Sequence, residues 1–167
     1  MQDITTRSGE LNEPIEDATF ESIDGEVTLR QLFGGKRDLL FIHNMGKQCA
    51  YCTMWADGLN GLLRHLEDRA AVVLASPDDP ETQRAFAESR GWKFRMVSTR
   101  QTSFNRDVGY ESDDGHVWPG VNALYLKDDG EVIRTGKDEF GPGDVYCATW
   151  HLFGLLREGV NGWQPKP

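Results

Sequence analysis

Residues 39–52, with the sequence LLFIHNMGKQCAYC, join a continuous apolar run to two cysteines that lie three positions apart. The run at 39–42 is typical of a strand that is buried on both faces. One tryptophan and four leucines follow at helical spacing and predict an amphipathic helix over about 50–68. We therefore expect Cys49 and Cys52 at the point where a buried strand passes into the first turn of a helix.

The same patterns along the chain predict the order βαβαβ, then a β-hairpin, then a helix. Apolar runs bounded by turn residues predict further strands at 71–75, 94–97, 121–126 and 131–134. Asp24-Gly25 predicts an N-terminal β-hairpin, because this dipeptide supplies the positive φ angles of a tight turn. Strand–helix–strand units imply parallel crossovers, while hairpins add antiparallel strands. The expected fold class is α/β, with a mixed central sheet and helices on both faces.

The chain has 167 residues, with 18 basic and 27 acidic side chains that give a net charge of −9. Its length fits one domain, which we place at 18–160, between a polar N-terminal arm (1–17) and a C-terminal tail (161–167). The negative charge argues against nucleic acid or an anionic membrane as a partner. No apolar run approaches the roughly 20 residues that span a bilayer, and the start lacks a secretory signal. With only three cysteines, too few for a disulfide scaffold, we expect a cytoplasmic protein.

The position of the cysteine pair predicts redox chemistry. A thiol at a helix N-terminus faces unpaired amide donors and the positive end of the helix dipole, and both favour the thiolate. We expect Cys49 to be the exposed nucleophile and Cys52 to lie under the first turn, with Lys47 adding a positive charge. Two sulfurs at this spacing can cycle between dithiol and disulfide, with no cofactor and no metal. Two inert thiols, or half of a zinc site that lacks two ligands, are the alternatives.

Three further residues are candidates for supporting roles at this junction. His43 ends the first buried strand and could accept the proton of Cys49. Pro119 directly precedes a buried strand, a place where proline is tolerated only at the start. A cis bond there would be a deliberate feature, although the sequence leaves the isomer open. It would present the backbone of Trp118 as a docking edge for an extended disulfide substrate.

The surfaces of two predicted helices also suggest contacts. Gly58 and Gly61 lie inside the helix at 50–68, although each costs about 1 kcal/mol relative to alanine, so we expect close packing on the sheet or on a partner. The apolar face of the closing helix is expected to include Val145, Leu152 and Leu156. Cys147, Trp150 and His151 would then face outward and form an interface, as in a homodimer.

Several stretches of the chain resemble a known protein family. They are RDLLFIHNMG, WADGLNGLL, FNRDVGY and WHLFGLL. They resemble a bacterial thioredoxin-like family catalogued as domain of unknown function 899, over about residues 18–160. The resemblance implies a thioredoxin fold of the peroxiredoxin-like and TlpA-like branch. Tyr51 resembles the tyrosine of the glutaredoxin pair, which implies glutathione or another small thiol as a partner.

The peroxiredoxin pattern is incomplete in this chain. Peroxiredoxins place a proline seven residues and a threonine three residues before the reactive cysteine, where this chain has Ile42 and Gly46. Our first hypothesis is therefore a thiol–disulfide oxidoreductase, with a protein or small-molecule disulfide as substrate and another thiol as reductant. The second is a thiol peroxidase in which Cys49 becomes a sulfenic acid. The third is a non-catalytic thioredoxin-like binding module.

Overall fold

The computed structural model describes residues 11–166, in which eight strands form one mixed sheet. The strands are β1 (Glu13–Ile15), β2 (Thr19–Ser22), β3 (Gly25–Thr28), β4 (Asp38–His43), β5 (Ala71–Ser76), β6 (Arg95–Ser98), β7 (Gly120–Leu126) and β8 (Val132–Glu139). The helices are α1 (Leu29–Leu32), α2 (Ala50–Arg69), α3 (Pro80–Arg90), α4 (Phe104–Asp107) and α5 (Ala148–Phe153). None of these helices is long and apolar enough to cross a bilayer.

Strand β4 lies inside the sheet, whose order is β1-β8-β7-β4-β5-β6-β2-β3. It runs parallel to β5, as β5 does to β6, and helices α2 and α3 form the two crossovers. On its other side it runs antiparallel to β7, which forms a hairpin with β8. Strands β2 and β3 form the N-terminal hairpin, with Gly25 at a φ of +107°. The predicted α/β class and mixed sheet are confirmed.

Alternate residues of β4 contribute to two hydrophobic clusters, one on each face of the sheet. Leu39 and Phe41 belong to the first cluster, which also contains residues of α1 and α4. Ile42 belongs to the second cluster, together with Trp55 and Leu63 of α2. Because successive side chains of a strand point to opposite faces, helices cover both faces of the sheet, as predicted.

Part of the segment expected as a polar arm is a strand. Residues 13–15 form β1, which pairs with β8 at the edge of the sheet. Arg134 of β8 anchors it, because its Nε donates to Glu13 Oε2 at 2.7 Å. A pairing between positions so far apart in the chain leaves no local pattern. Residues 1–10 of the arm and residue 167 of the tail lie outside the described residues.

The faces expected for α5 are wrong. Cys147 and Trp150 are buried, whereas Val145, Leu152 and Leu156 are 63%, 59% and 58% exposed. Helix α5 has only six residues, so Val145 and Leu156 lie outside it and the helical spacing does not relate them. The outward interface predicted for Cys147 and Trp150 therefore loses its basis, although His151 is exposed.

The packing of the two glycines of α2 on the sheet, one of the two alternatives expected, is wrong. Gly58 and Gly61 are exposed, and a Cβ added at either position would meet no described atom within 4 Å. Gly120, at the start of β7, is the opposite case. A Cβ there would overlap the carbonyl oxygen of Asp138 and the ring of Tyr110.

We therefore expect opposite effects from two glycine-to-alanine substitutions. Gly120→Ala should lower the free energy of unfolding by about 2 to 3 kcal/mol, because an overpacked site forces its neighbours apart. Gly58→Ala should raise it by about 1 kcal/mol, because alanine is the better helix former and the added methyl group has free space. Urea unfolding followed by circular dichroism measures both, and two changes of the same sign would contradict the packing described.

Candidate active site

Cys49 is the N-cap residue of α2, shortly after the end of β4. Its extended backbone, with φ −91° and ψ 102°, turns the side chain back towards the first turn. The backbone N–H of Cys52 donates to Cys49 Sγ at 3.1 Å. The sulfur thus acts as the capping group and lies against the unpaired amides at the start of the helix.

The two thiols differ in exposure and in pKa. Cys52 is 1% exposed, while Cys49 is half-buried. A hydrogen bond from the Cys52 thiol, helped by the backbone N–H groups of Cys52 and Tyr51, lowers the pKa of Cys49 from 9.0 to about 7, although partial burial opposes this. The same hydrogen bond and burial raise the pKa of Cys52 far above its ordinary value. Near neutral pH, Cys49 is therefore partly ionised, while Cys52 keeps its proton.

Asp78, which follows β5, holds the loop that leads into α2. Its Oδ2 accepts the backbone N–H of Lys47 at 2.7 Å, and its carboxylate lies against Gly46. Gly46 has a φ of +102°, which other residues rarely adopt, and its N–H donates to Asn44 Oδ1 at 2.8 Å. Sequence reasoning missed Asp78 and Asn44. The available signal was topological, because the loops that follow two parallel strands emerge at the same edge of a sheet.

Lys47 and Tyr51 lie beside the cysteines in different ways. Lys47 is exposed, and the groups that lower the pKa of Cys49 are a thiol and two backbone amides. Lys47 instead fixes the loop through its backbone N–H. Tyr51 is half-buried, and its ring centroid lies 6.1 Å from those of both Trp55 and Trp150. It links the cysteine pair to the second cluster.

Trp118 and Pro119 do not form the expected docking edge. The Trp118 N–H donates to the carbonyl of Tyr110 at 3.2 Å, and the Pro119 carbonyl accepts the N–H of Phe140 at 3.0 Å. The Trp118 side chain packs on the first cluster, across the sheet from α2. Within residues 11–166 there is no cis peptide bond, so Pro119 is trans. These backbone groups are occupied by the protein itself.

His43 does not act as the proton acceptor expected for Cys49. It is 3% exposed, lies across the sheet from α2 and stacks on Tyr110 with ring centroids 4.0 Å apart. Its Nδ1 is 3.0 Å from Asn105 Oδ1, and its Nε2 is 2.8 Å from Asn122 Nδ2. Burial lowers the pKa of His43 from 6.5 to about 3, although the hydrogen bond with Asn105 opposes this. Both ring nitrogens are engaged and the imidazole is neutral.

These bonds belong to a buried series of hydrogen bonds, and Arg134 fixes the direction in which each of them donates. A guanidinium can only donate, so Arg134 Nη1 turns Asn122 Oδ1 towards itself at 3.3 Å and the Asn122 amide towards His43. His43 therefore keeps its proton on Nδ1 and donates it to Asn105 Oδ1. The Asn105 amide donates in turn to Thr99 Oγ1 at 3.0 Å. This series of hydrogen bonds connects β8, β7, β4 and α4.

The structure also shows where the third cysteine lies and whether ligands for a zinc ion come together. Cys147 is buried in the second cluster at the start of α5. In the described part of the chain, no group of three or more histidine, cysteine, aspartate or glutamate side chains is arranged to hold a metal ion. Cys49, Cys52 and Cys147 are all free thiols.

A mixed sheet of this topology, with helices on both faces and a cysteine capping the helix that follows an inner strand, defines a thioredoxin-fold protein. The family described as "Bacterial protein of unknown function (DUF899)" matches residues 13–162. The chain therefore belongs to this family, which confirms the resemblance of its motifs. No curated protein matches the chain.

Three solved structures with a similar fold are peroxiredoxins or peroxiredoxin-like. Peroxidoxin BcpB from Mycobacterium tuberculosis has a TM-score of 0.62 and 19% identity, over 77% of this chain and 84% of that one. Reduced Prx3 from Vibrio vulnificus, in complex with H₂O₂, gives 0.62 and 16%, over 80% and 86%. A peroxiredoxin-like protein from Aquifex aeolicus gives 0.58 and 17%, over 77% and 75%. At such identities the likeness shows the fold alone.

The pKa of Cys49 predicts how its alkylation depends on pH. Only the thiolate reacts, so the rate with iodoacetamide should fall as pH drops and reach half its maximum near pH 7. Cys52→Ala removes the donating thiol and should move this midpoint upwards, towards the value of about 8.5 of an ordinary cysteine. Cys147→Ser, which lies at another helix start, serves as the matched control and should leave the midpoint unchanged. A wild-type midpoint near that of a free thiol would contradict the geometry described.

The buried His43 predicts a pH dependence of stability. Its pKa is lower in the folded protein, so the unfolded chain takes up the proton first as pH falls below 6.5. The stability linked to neutral His43 is thus complete above pH 6.5 and declines towards pH 3, by at most about 1.4 kcal/mol per pH unit. Between pH 6.5 and 5 the wild type should lose roughly 2 kcal/mol more than His43→Gln, which does not titrate. Urea unfolding at several pH values measures this, and parallel profiles would refute it.

Proposed function

We propose that this protein is a thiol–disulfide oxidoreductase, with Cys49 as the nucleophile and Cys52 as the resolving cysteine. One observation carries the proposal: Cys49 Sγ caps α2 and accepts the backbone N–H of Cys52 at 3.1 Å, while the covered Cys52 thiol lies one turn along the helix. The Cys52 thiol and the backbone N–H groups of the first turn lower the pKa of the attacking sulfur. The spacing of one helical turn places the resolving sulfur near it. A pair arranged only for packing has no need of a thiolate.

The reaction proceeds in two exchanges. The Cys49 thiolate attacks one sulfur of the substrate disulfide, forming a mixed disulfide and releasing the other sulfur as a thiolate. Cys52 then loses its proton to a departing thiolate and attacks the sulfur of Cys49. The second substrate thiol leaves and a Cys49–Cys52 disulfide remains. Two electrons have passed from the dithiol to the substrate, and an external thiol returns them.

The partners follow from this cycle. The substrate is a protein or small-molecule disulfide, and the reductant is a second thiol system. We place the reaction in the cytoplasm, where cellular thiols keep cysteines reduced. Nucleic acid and anionic membranes remain unfavourable partners, because the chain carries a net charge of −9.

A thiol peroxidase is the second candidate, because the similar solved folds are peroxiredoxins and one of them is in complex with H₂O₂. In that reaction the Cys49 thiolate attacks a peroxide oxygen, breaks the O–O bond and becomes a sulfenic acid, while the other oxygen leaves and takes up a proton. Cys52 would then condense with the sulfenic acid and release water. We rank it second, because Ile42 and Gly46 supply neither the rigid proline nor the hydroxyl donor of that site.

Stopped-flow oxidation by two substrates tests the proposal. At equal thiolate fraction, Cys49 should react with hydrogen peroxide at about the rate of an ordinary thiolate and faster with an accessible disulfide. One missing oxyanion donor typically costs about 10² to 10³ in rate. Cys52→Ser should accumulate the mixed disulfide, Cys49→Ser should form none, and Cys147→Ser should behave as the wild type, all by mass spectrometry.

Each alternative has its own signature in the same measurements. Peroxide oxidation several orders of magnitude faster than that of a free thiolate would make peroxidase the better assignment. A pair that reacts slowly with both substrates would favour a non-catalytic binding module. Adducts trapped by Cys49→Ser instead of Cys52→Ser would reverse the roles of the two sulfurs.

A further inference from the structure

An open groove of about 440 Å³ lies beside the cysteine pair, and we call it the aromatic groove. It includes Tyr51, one of the two residues between the cysteines, together with residues of the segment 160–164 and part of α5. Residues that line it include Tyr51, Pro142, Trp150, His151, Val160 and Trp163. Its size falls within the range of sites that hold drug-sized ligands or a short peptide segment.

Three aromatic rings build the groove. The ring of Tyr51 lies 6.1 Å from that of Trp150, at an interplanar angle of 23°. The ring of Trp163 lies edge-on to that of Trp150, with centroids 5.9 Å apart. It also lies edge-on to the ring of Phe153, with centroids 4.9 Å apart. The Trp163 N–H donates to the carbonyl of Val160 at 2.9 Å, which closes the turn that carries the ring. Trp163 is nevertheless 37% exposed, so it offers an uncovered aromatic surface.

The lining is uncharged in a chain where 27% of the residues are charged. Among the described residues that line the groove, none carries a carboxylate, an ammonium or a guanidinium group. Its one imidazole, that of His151, is 2.9 Å through Nε2 from the carbonyl oxygen of Asp144. A ligand with ionised groups would find no ion-pair partner here, whereas an apolar or aromatic group would be well accommodated.

Trp150 lies largely beneath the surface of the groove. It is 7% exposed, and its Nε1–H is buried with no hydrogen-bond partner in the described structure, so this donor does not reach a ligand in the groove. The aromatic surface that a ligand contacts is therefore mainly that of Trp163.

We propose that the aromatic groove binds the substrate of the cysteine pair, and that this substrate is a peptide disulfide with an aromatic residue next to its cysteine. The inference rests on the proposed function, because it assigns the specificity of the same site. The aromatic side chain stacks in the groove on Trp163, and the adjacent disulfide reaches Cys49 past Tyr51, which lines the groove two residues from that cysteine. The chemical step is the exchange already described, with the same electron balance. Glutathione disulfide, which is ionised at both ends, is a poor substrate.

Binding is measured without chemistry by calorimetry. The probe is the peptide Ala-Phe-Cys-Ala, blocked at both ends and S-methylated so that it cannot exchange. Trp163→Ala should weaken its affinity about tenfold and Trp163→Phe should largely restore it. Leu155→Ala, which truncates an 83% exposed side chain of the same C-terminal segment, is the matched control and should bind as the wild type.

Kinetics test specificity with the corresponding disulfide peptides. The wild type should reduce the Phe-Cys peptide about tenfold faster than an Ala-Cys peptide and than glutathione disulfide, and Trp163→Ala should bring the three rates together. Equal rates in the wild type, or a preference that survives Trp163→Ala with the fold intact by circular dichroism, would overturn the inference but leave the oxidoreductase standing. A protein that binds the S-methyl peptide but reduces no disulfide would refute the proposed function and not the groove.

Discussion

The sheet depends on the hydrogen bonds made by the buried polar residue that ends β4. The strand is hydrogen-bonded on both sides and ends in His43, an imidazole that would cost about 1 to 3 kcal/mol if left unpaired in the interior. Asn105 and Asn122 form hydrogen bonds with its two ring nitrogens. Arg134 fixes the direction in which these bonds donate, and it also donates a hydrogen bond to Glu13. These bonds therefore connect four strands that are consecutive in the sheet, namely β1, β8, β7 and β4. The loop into α2 starts from this fixed point.

The reactivity of the site comes mostly from the first turn of α2 itself. Hydrogen bonds to an ionised acceptor are roughly twice as strong as neutral ones, so a thiol and two amides directed at Cys49 favour its thiolate over its thiol. The same contact stabilises the protonated form of Cys52, which burial also favours. Hydrogen bonding and burial together thus separate the two pKa values. The Asp78 carboxylate contributes indirectly, because it holds the loop that precedes the cap.

Local features of the fold and site could be predicted from the sequence, whereas contacts between distant segments could not. The strand at 39–42 and the cysteines that follow are neighbours in the chain, so periodicity alone places them at a strand-to-helix junction. The bonds of His43 connect residues 62 and 79 positions apart, which no periodic pattern records. The prediction of the buried face of α5 failed for another reason, because a helix of six residues is too short for helical spacing to identify that face.

The likeness to peroxiredoxins and the chemistry that we propose for this chain depend on different parts of the molecule. A shared fold places a strand end and a helix start beside each other, and backbone amides at that start favour a thiolate whatever the surrounding side chains are. Peroxide reduction further needs side chains fixed around the departing oxygen, and Ile42 and Gly46 are an apolar residue and a residue without a side chain. Disulfide exchange needs instead a second sulfur and a surface that receives the substrate. This chain has the second sulfur in Cys52, and Tyr51 lines both that turn and the aromatic groove.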